Sequence, residues 1–195
     1  MAKSSKMLLS VGCILVAASL GLLIFSHFHA QNAANTNAHI VAQIRSVIPS
    51  PTAGVMDTYL DMEMPALQIG GQDFIGLVDI PAFGLTLPIY SIWDTGTVTS
   101  FPCRFWGSVY DGSLIVGGAD QPGQFDCLDK IQNGDTVTVT DMTGAQFSYG
   151  VVRVERAKSA QADRLTDSNT ELTLFVRDTY NLDYIIVRCA SEVPT

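Results

Sequence analysis

The side chains of this sequence that are best suited to covalent chemistry are its cysteines and histidines. A thiolate is a nucleophile and a metal ligand, and an imidazole transfers protons near neutral pH. The chain has four cysteines and three histidines: Cys13, Cys103, Cys127 and Cys189, and His27, His29 and His39. Every histidine precedes residue 40, three cysteines follow residue 100, and none of the spacings is that of a zinc site. The sequence therefore predicts no metal site, no cofactor, and no framework of disulfides.

The charge of the chain limits which class of molecule the protein is expected to bind. The formal net charge is -8 and the isoelectric point is about 4.6, and no acidic residue precedes Asp57. Because nucleic acids bind to basic surfaces, this balance argues against a nucleic-acid partner. The length of 195 residues allows one domain of ordinary size, about 100 to 200 residues, with a short appendage.

Apolar residues that would fix such a domain to a membrane are concentrated near the N-terminus. The segment from Met7 to Phe28 contains no charged residue, and two lysines precede it. A membrane core of about 30 Å needs about 20 apolar residues in a helix, and basic residues stay on its cytoplasmic side. We expect a cytoplasmic N-terminus over 1–6, a single transmembrane anchor over 7–28, and an extracellular domain at the cell membrane. A cleaved signal peptide is the competing interpretation, but its apolar region is usually shorter, about 7 to 15 residues.

Residues 29–72 are predicted to form a helix and a linker. An amphipathic helix capped near Asn35 or Thr36 is indicated by four apolar residues at helical spacing: Ile40, Val41, Ile44 and Val47. Two prolines and a glycine then interrupt it. The stretch that follows, with Met56, Met62 and Met64, is predicted to be a tether that lies along the domain.

From Asp73 onward the apolar pattern is that of β-strands. Seven short segments are rich in β-branched or aromatic residues: Phe74–Ile80, Leu85–Tyr90, Ser113–Gly118, Asp135–Asp141, Gln146–Arg156, Glu171–Val176 and Tyr184–Ala190. Asn133-Gly134 and Thr143-Gly144 are the clearest turns between them. Seven strands in about 120 residues predict an all-β domain over 73–195, either a barrel or a sandwich.

Short motifs in this region also occur in a characteristic order. They are Phe74-Ile75-Gly76, Leu87-Pro88-Ile89-Tyr90, Pro102-Cys103-Arg104-Phe105-Trp106, Leu114-Ile115-Val116-Gly117-Gly118, Leu172-Thr173-Leu174-Phe175 and Val187-Arg188-Cys189. In order and spacing they resemble the sortase family of Gram-positive surface transpeptidases, in particular its class B-like branch. The resemblance covers essentially all of 73–189 and implies a sortase-type β-barrel with short helices.

The resemblance also implies where the catalytic side chains of the family would lie. In the family a cysteine thiolate attacks a carbonyl of a sorting-signal peptide, a histidine protonates the leaving amine, and an arginine donates hydrogen bonds to the substrate. The histidine position, six residues before Phe125, is Ala119 in this chain. The cysteine position is Arg177, the fifth residue of the motif that begins at Thr173. The arginine position, which opens the last strand, is Tyr184.

None of these three residues supplies the family's chemistry. A methyl group transfers no proton, and a guanidinium, with a pKa above about 12, is neither a nucleophile nor a base. We therefore expect a catalytically inactive pseudo-sortase, in which Arg177, Tyr184 and Asp120 are the candidate peptide-binding residues. Two alternatives stay open for Arg177: an exposed ion pair with Asp178 or Asp183, or a pair with Asp120 that would occupy the groove.

Three functions follow from these expectations. The first is binding or scaffolding of a sorting-signal peptide, of a surface protein such as a pilin, or of an active sortase. The second is a cysteine transpeptidase or hydrolase that anchors surface proteins to the cell wall with a non-standard active site, in which Cys127 is the alternative nucleophile. The third is a barrel retained for structure alone, which a filled or flat groove would favour.

Overall fold

The computed structural model describes residues 15–21, 35–50, 52–53, 63–158, 165–166 and 170–191. Helices α1 and α2 span residues 15–21 and 35–47. The strands are β1 (Thr52–Ala53), β2 (Leu67–Ile69), β3 (Gln72–Ile80), β4 (Leu85–Tyr90), β5 (Cys103–Trp106), β6 (Leu114–Ala119), β7 (Thr136–Asp141), β8 (Ala145–Ala157), β9 (Leu172–Arg177) and β10 (Tyr184–Ser191). Each of the seven predicted strands is present, with ends within two residues of the prediction. The three additional strands, β1, β2 and β5, are too short to show a period of two.

Strands β3 to β10 close into a barrel. Around the ring the order is β3, β4, β5, β6, β9, β10, β8 and β7, and β7 pairs again with β3. The pairs β4–β5 and β6–β9 are parallel, and the others in the ring are antiparallel. Outside the ring, β1 pairs with β8 and β2 pairs with β3. The all-β prediction is confirmed, and the domain is a barrel because β7 joins both ends of the sheet.

Alternation of side chains along the strands separates the barrel core from the outer face. On β9, Leu172, Leu174 and Val176 belong to the central core, whereas Phe175 belongs to a second apolar cluster. On β10, Ile185 lies in the central core and its neighbour Ile186 in the second cluster. A period of two residues produces this division, because successive side chains point to opposite faces of a strand. The second cluster therefore lies on the outer face of β9 and β10.

Helix α2 packs against the outside of the barrel beside β3. Three of its apolar residues and three barrel residues form one buried cluster: Ile40, Val41 and Ile44 with Phe74, Leu77 and Phe101. The predicted helix and most of its apolar face are confirmed. Val47 is exposed instead, and the next residue, Ile48, packs against the cluster in its place.

Parts of the predicted linker also lie on the barrel. β1 runs parallel to β8, and the carbonyl oxygen of Pro49 lies 2.8 Å from where a Cβ of Gly144 would stand. Met64 is buried in the central core, which agrees with a packing role for this methionine. Met56 and Met62 lie outside the described residues.

The described residues include no helix that is both long enough and apolar enough to cross a membrane. Of the anchor predicted between Met7 and Phe28, only residues 15–21 are described. The rest of that prediction falls outside the described part of the chain.

Candidate functional site

The three positions singled out from the sequence lie side by side on neighbouring strands. β9 runs between β6 and β10, and all three strands reach the same end of the barrel. Arg177 is the direct cross-strand partner of Ala119 on β6 and of Tyr184 on β10. Residues so paired have their side chains on one face, about 5 Å apart. We call Ala119, Arg177 and Tyr184 the end row.

The end row faces outward. Val176 and Ile185, the strand neighbours of Arg177 and Tyr184, lie in the central core, so the end-row side chains point to the opposite face. Arg177 is exposed, and its side chain makes no hydrogen bond or ion pair with any residue that the structure describes. Its guanidinium is therefore available to an anion or a carbonyl oxygen.

The acidic residues near Arg177 are engaged elsewhere. Asp178 forms an ion pair of 2.7 Å with Arg156, and Asp183 forms one of 2.5 Å with Lys158. The predicted pair between Arg177 and Asp178 or Asp183 is therefore not formed. Each acid finds its partner on β8 or directly after it, because β8 lies beside β10 in the ring.

Asp120 is likewise not a partner of Arg177. Its Oδ2 accepts hydrogen bonds from the backbone N–H and from the hydroxyl of Thr179, each at 2.8 Å. The interpretation that Asp120 occupies the groove by pairing with Arg177 is not supported by this geometry. Asp120 instead connects the end of β6 to the turn between β9 and β10.

That turn, residues 178–183, is held by a second carboxylate. Asp178 accepts hydrogen bonds from the backbone N–H groups of Tyr180 and Asn181, from the side-chain amide of Asn181, and from Arg156. The bonds from Asn181, followed by that from Arg156, hold the pKa of this carboxyl well below its usual range. The turn presents two apolar side chains to solvent, Tyr180 at 93% exposure and Leu182 at 59%.

The next row on the same face is filled by aromatic rings. Gly117, Phe175 and Ile186 are cross-strand partners in this row. The ring of Trp93 stacks on Phe175 with centroids 5.5 Å apart, and a Cβ on Gly117 would overlap both rings. Phe105 packs edge-on against both of these rings. Glycine at position 117 therefore makes room for an aromatic cluster that covers the face beside the end row.

A buried arginine lies in the third row of this face, beyond Ile186 on β10. Arg188 on β10 donates to Thr173 of β9 at 3.1 Å, to Glu155 of β8 at 2.9 Å, and to the carbonyl oxygen of Leu165. Leu165 is fully buried in the outer cluster with Phe175. The connection between β8 and β9 is therefore fixed to the barrel at Leu165.

The backbone of Ala119 is also held in place. Its N–H donates to the side-chain oxygen of Gln124, and its carbonyl oxygen accepts from the N–H of Phe125 at 3.1 Å. Gln124, which is buried, also donates to the carbonyl oxygen of Val98 at 3.2 Å. The sequence patterns did not single out Gln124, Trp93 or Arg188 as residues that shape the site. Only the adjacent glycines of the β6 motif, Gly117-Gly118, indicated close packing there.

The three cysteines of the barrel are buried and apart from the end row. Burial raises the pKa of the Cys103 and Cys127 thiols to about 11, and that of Cys189 to about 12. At Cys127 the neighbouring carboxylate of Asp126 adds to the effect of burial. All three are free thiols, and at neutral pH they are protonated.

The site therefore has one exposed cationic side chain and, among the described residues, no nucleophile or proton-transfer pair. Ala119 offers only a methyl group, Arg177 is a permanent cation, and the Tyr184 hydroxyl donates and accepts hydrogen bonds. No group of three or more His, Cys, Asp or Glu residues that could hold a metal ion occurs in the described ranges.

Comparison with known proteins gives one family and one fold. The family model described as Sortase domain matches residues 78–188. Sortase C1 from Streptococcus agalactiae is 22% identical with a TM-score of 0.55, over 72% of this chain and 76% of that chain. A lid mutant of sortase A from Corynebacterium diphtheriae is 22% identical with a TM-score of 0.56, over 85% and 93%.

A further structure has a peptide motif in its title. Sortase C from Clostridium perfringens, determined with the C-terminal cell wall sorting motif, is 15% identical with a TM-score of 0.54, over 88% of this chain and 100% of that chain. No curated protein matches the chain. At these identities the structural similarity establishes the sortase-type barrel.

Proposed function

The chain belongs to the sortase family, and on that premise we propose that it is a sortase-like protein that binds a peptide without performing transpeptidation. The observation that carries this proposal is the end row: Ala119, Arg177 and Tyr184 are partners in register on three adjacent strands. Motifs far apart in the sequence assigned one position each, and all three occur together at one end of the barrel. This agreement supports the assignment of the end row to the family's catalytic positions.

With these residues the covalent step of the family is lost. Acyl transfer needs a thiolate or hydroxyl activated by a base, and an acid that protonates the leaving amine. Neither Ala119 nor Arg177 provides one, and a lone Tyr184 hydroxyl does not replace the pair. Hydrogen bonding to a carbonyl or carboxylate is retained, because the guanidinium of Arg177 is exposed and makes no ion pair with a described residue.

The active-enzyme alternative finds little support in the thiols. A nucleophilic cysteine has a lowered pKa and is accessible to substrate. Cys127 is buried and its pKa is raised to about 11, and Cys103 and Cys189 are fully buried. The barrel-only alternative gains support from the aromatic rings that cover the second row. The exposed Arg177 favours the binding proposal over the barrel-only alternative, because its guanidinium is open to a ligand.

The partner that we propose is a sorting-signal peptide, presented by a surface protein or pilin or in the company of an active sortase. One structural relative carries a cell wall sorting motif in its title, which supports this class of ligand. We further propose that the segment from Met7 to Phe28 anchors the chain in the cell membrane with the barrel outside, as its apolar composition indicates. The relatives reported above are titled sortases A and C, so membership of a class B-like branch stays a prediction from the motifs.

The test is a mass-spectrometric assay of the full-length chain with a library of sorting-signal peptides and an amine acceptor. We expect no cleavage or transfer product from the native chain. The triple variant Ala119→His, Arg177→Cys and Tyr184→Arg should produce transfer product, since it restores the three side chains to one row. Product from the native chain would overturn the proposal, and thiol mapping would then identify the nucleophile.

Binding is measured separately on the native chain. A peptide from the library should remain intact while bound, and Arg177→Ala should weaken its binding about tenfold, which is the effect of losing a charge-assisted hydrogen bond. Arg45→Ala is the matched control, because Arg45 is an exposed arginine on α2 that pairs with Asp79. Equal binding by both variants and the native chain would favour a barrel retained for structure alone.

A further inference from the structure

A cleft lies beside Trp93, whose ring also stacks on Phe175. It has a volume of about 390 Å³ and is formed by the segment that follows β4 and by β5, with Ser91, Ile92, Arg104, Trp106 and Asp111 in its wall. Ligand pockets commonly have volumes of about 300 to 1,000 Å³. The cleft therefore has room for part of a peptide or a similar small molecule.

Strand β5 is bulged where it forms this cleft. The pairing of β5 with β6 shifts between Arg104 and Trp106, and the consecutive residues Arg104, Phe105 and Trp106 all line the cleft. Regular alternation would send the middle residue to the opposite face. Bulges re-aim side chains and are frequent beside binding sites, so this bulge keeps the Phe105 ring on the face that already holds Arg104 and Trp106.

Arg104 is oriented and has hydrogen-bonding capacity left. Its Nε donates to the carbonyl oxygen of Ser91 at 2.7 Å, which fixes the plane of the guanidinium. Its two Nη groups make no hydrogen bond or ion pair within the described ranges. The side chain is half-buried, and a partly desolvated guanidinium binds a carboxylate through two parallel hydrogen bonds more strongly than an exposed one does.

Two large apolar side chains that line the cleft with Arg104 are exposed to water. Trp106 is 64% exposed and Ile92 is 57% exposed, and both line the cleft. Aromatic and arginine side chains carry most of the binding energy at protein interfaces. An apolar group that covers Trp106 and Ile92 would remove their surface from water, which favours a ligand with an apolar side chain next to its anionic group.

Charge and polarity favour a peptide over other anions. Asp111 stands in the same wall, and its carboxylate accepts from the N–H and the hydroxyl of Ser113 at 3.0 and 2.5 Å. A lining with one cation and one carboxylate suits a ligand that has an anionic group and N–H donors together. A sulfate ion lacks N–H donors, and Asp111 would repel a dianion such as sulfate or phosphate more strongly than a single carboxylate.

We propose that the cleft between Arg104 and Trp106 binds a peptide carboxylate, with the adjacent apolar side chain packed on Trp106 and Ile92. The carboxylate comes either from a peptide C-terminus or from an acidic side chain. This site lies beyond the end row, because Trp93 and Phe175 stand between the two, and it uses Arg104 where the proposed function uses Arg177.

The two tryptophans of the chain report directly on this site. Trp93 and Trp106 are the only tryptophans in the sequence, and both line the cleft. Intrinsic tryptophan fluorescence of the full-length chain in a neutral detergent is therefore titrated with three short peptides that end in leucine. One has a free C-terminal carboxylate, one is its C-terminal amide, and one is an amide with an internal glutamate.

A saturable fluorescence change is expected with a carboxylate peptide. The affinity for the uncharged amide, measured in the same titration, should be at least tenfold lower. The two carboxylate peptides distinguish a C-terminal from a side-chain source. Arg104→Gln should weaken binding at least tenfold, whereas Arg45→Gln, at an exposed arginine that does not line the cleft, should leave it unchanged. Ile92→Ser retains both tryptophans and Arg104, and it should weaken binding of the leucine peptide more than that of a glycine-ended one.

Several outcomes would overturn this proposal. Equal binding of the carboxylate and amide peptides, or unchanged binding by folded Arg104→Gln, removes the role of the guanidinium. Loss of the signal in Arg177→Gln alone would place the carboxylate at the end row, in support of the proposed function and against this second site. Saturation by an N-acetylglucosamine disaccharide and not by the peptides would make the cleft a glycan site. If Arg104→Gln fails to fold, unchanged peptide preference in Ile92→Ser decides against the proposal.

Discussion

Asp120 and Thr179 are joined by two hydrogen bonds across 59 residues of sequence, one to the backbone N–H and one to the hydroxyl, each at 2.8 Å. Through them the loop after β6 holds the turn after β9. Ala119 and Arg177, which precede these two segments, are cross-strand partners. The geometry of the end row is thus supported by contacts made just beyond it.

Removal of this connection should destabilise the turn. Asp120→Ala loses both hydrogen bonds to a charged acceptor, and we expect the free energy of unfolding to fall by about 1 to 2 kcal/mol. Urea denaturation measures this change. Asp129→Ala is the control, because Asp129 is exposed and its ion pair with Lys130 is long, at 4.0 Å. A loss as large in the control would argue against a specific role of Asp120.

Asp178 should make stability depend on pH in the acid range. Its carboxyl has a pKa below the usual value because Asn181 and Arg156 bond to the ionised form. Since an unfolded aspartate has a pKa of about 3.9, the stabilisation is fully present above about pH 4 and is lost as pH falls through the lower folded-state pKa. The difference in unfolding free energy between native chain and Asp178→Asn should therefore be largest near neutral pH and shrink below about pH 4.

A matched variant checks that prediction. Asp183 also pairs with a cation, but Lys158 is 87% exposed, so Asp183→Asn should change the free energy of unfolding little. A difference for Asp178→Asn that is as large at pH 2 as at pH 7 would show that lost geometry, and not charge, is responsible.

Gly117 should not tolerate a side chain. Gly117→Ala places a methyl group against the rings of Trp93 and Phe175, and overpacking of this kind costs about 1 to 3 kcal/mol. Displacement of Trp93 should also shift tryptophan emission to longer wavelength. In a Trp93→Ala background the same change should cost less. An equal loss of unfolding free energy in both backgrounds would mean that the clash with Phe175 alone excludes a side chain at position 117.

The barrel thiols should be unreactive in the folded chain. With pKa values of about 11 to 12, about 0.1% or less of each thiol is ionised at pH 8. In a Cys13→Ser background, thiol reagents should label the native protein slowly and label three thiols after unfolding. Rapid labelling of Cys127 would instead restore it as a candidate nucleophile.

Arg188 should be among the residues on which stability depends most. It is 3% exposed and bonds to Glu155, Thr173 and the Leu165 carbonyl. Arg188→Met removes the donor from the Leu165 carbonyl and from Thr173, whereas Glu155 keeps its ion pair with Arg153. We expect a cost of about 2 to 4 kcal/mol in urea denaturation. Arg45→Met, at an exposed ion pair, should cost less than about 1 kcal/mol. Comparable losses would contradict the anchoring role of Arg188.

Local sequence patterns predicted most of the strands, and the resemblance to the sortase family singled out the three end-row positions. A period of two in apolar residues is local, so it located β3, β4 and β6 to β10, and the family's motifs implied Ala119, Arg177 and Tyr184 as the positions of its catalytic residues. The four residues of β5 are too few to show a period, and its bulge at Arg104 depends on pairing with β6. The anchor between Met7 and Phe28 remains a prediction from composition.

Tertiary structure alone decided the partners of the charged and aromatic side chains. The sequence offered Asp120, Asp178 and Asp183 equally as partners of Arg177, and the fold gives them to Thr179, Arg156 and Lys158. Trp93 covers Gly117 because a loop after β4 meets the β6–β9 face. Such contacts join residues tens of positions apart, and their formation depends on strand order and register, which no local pattern encodes.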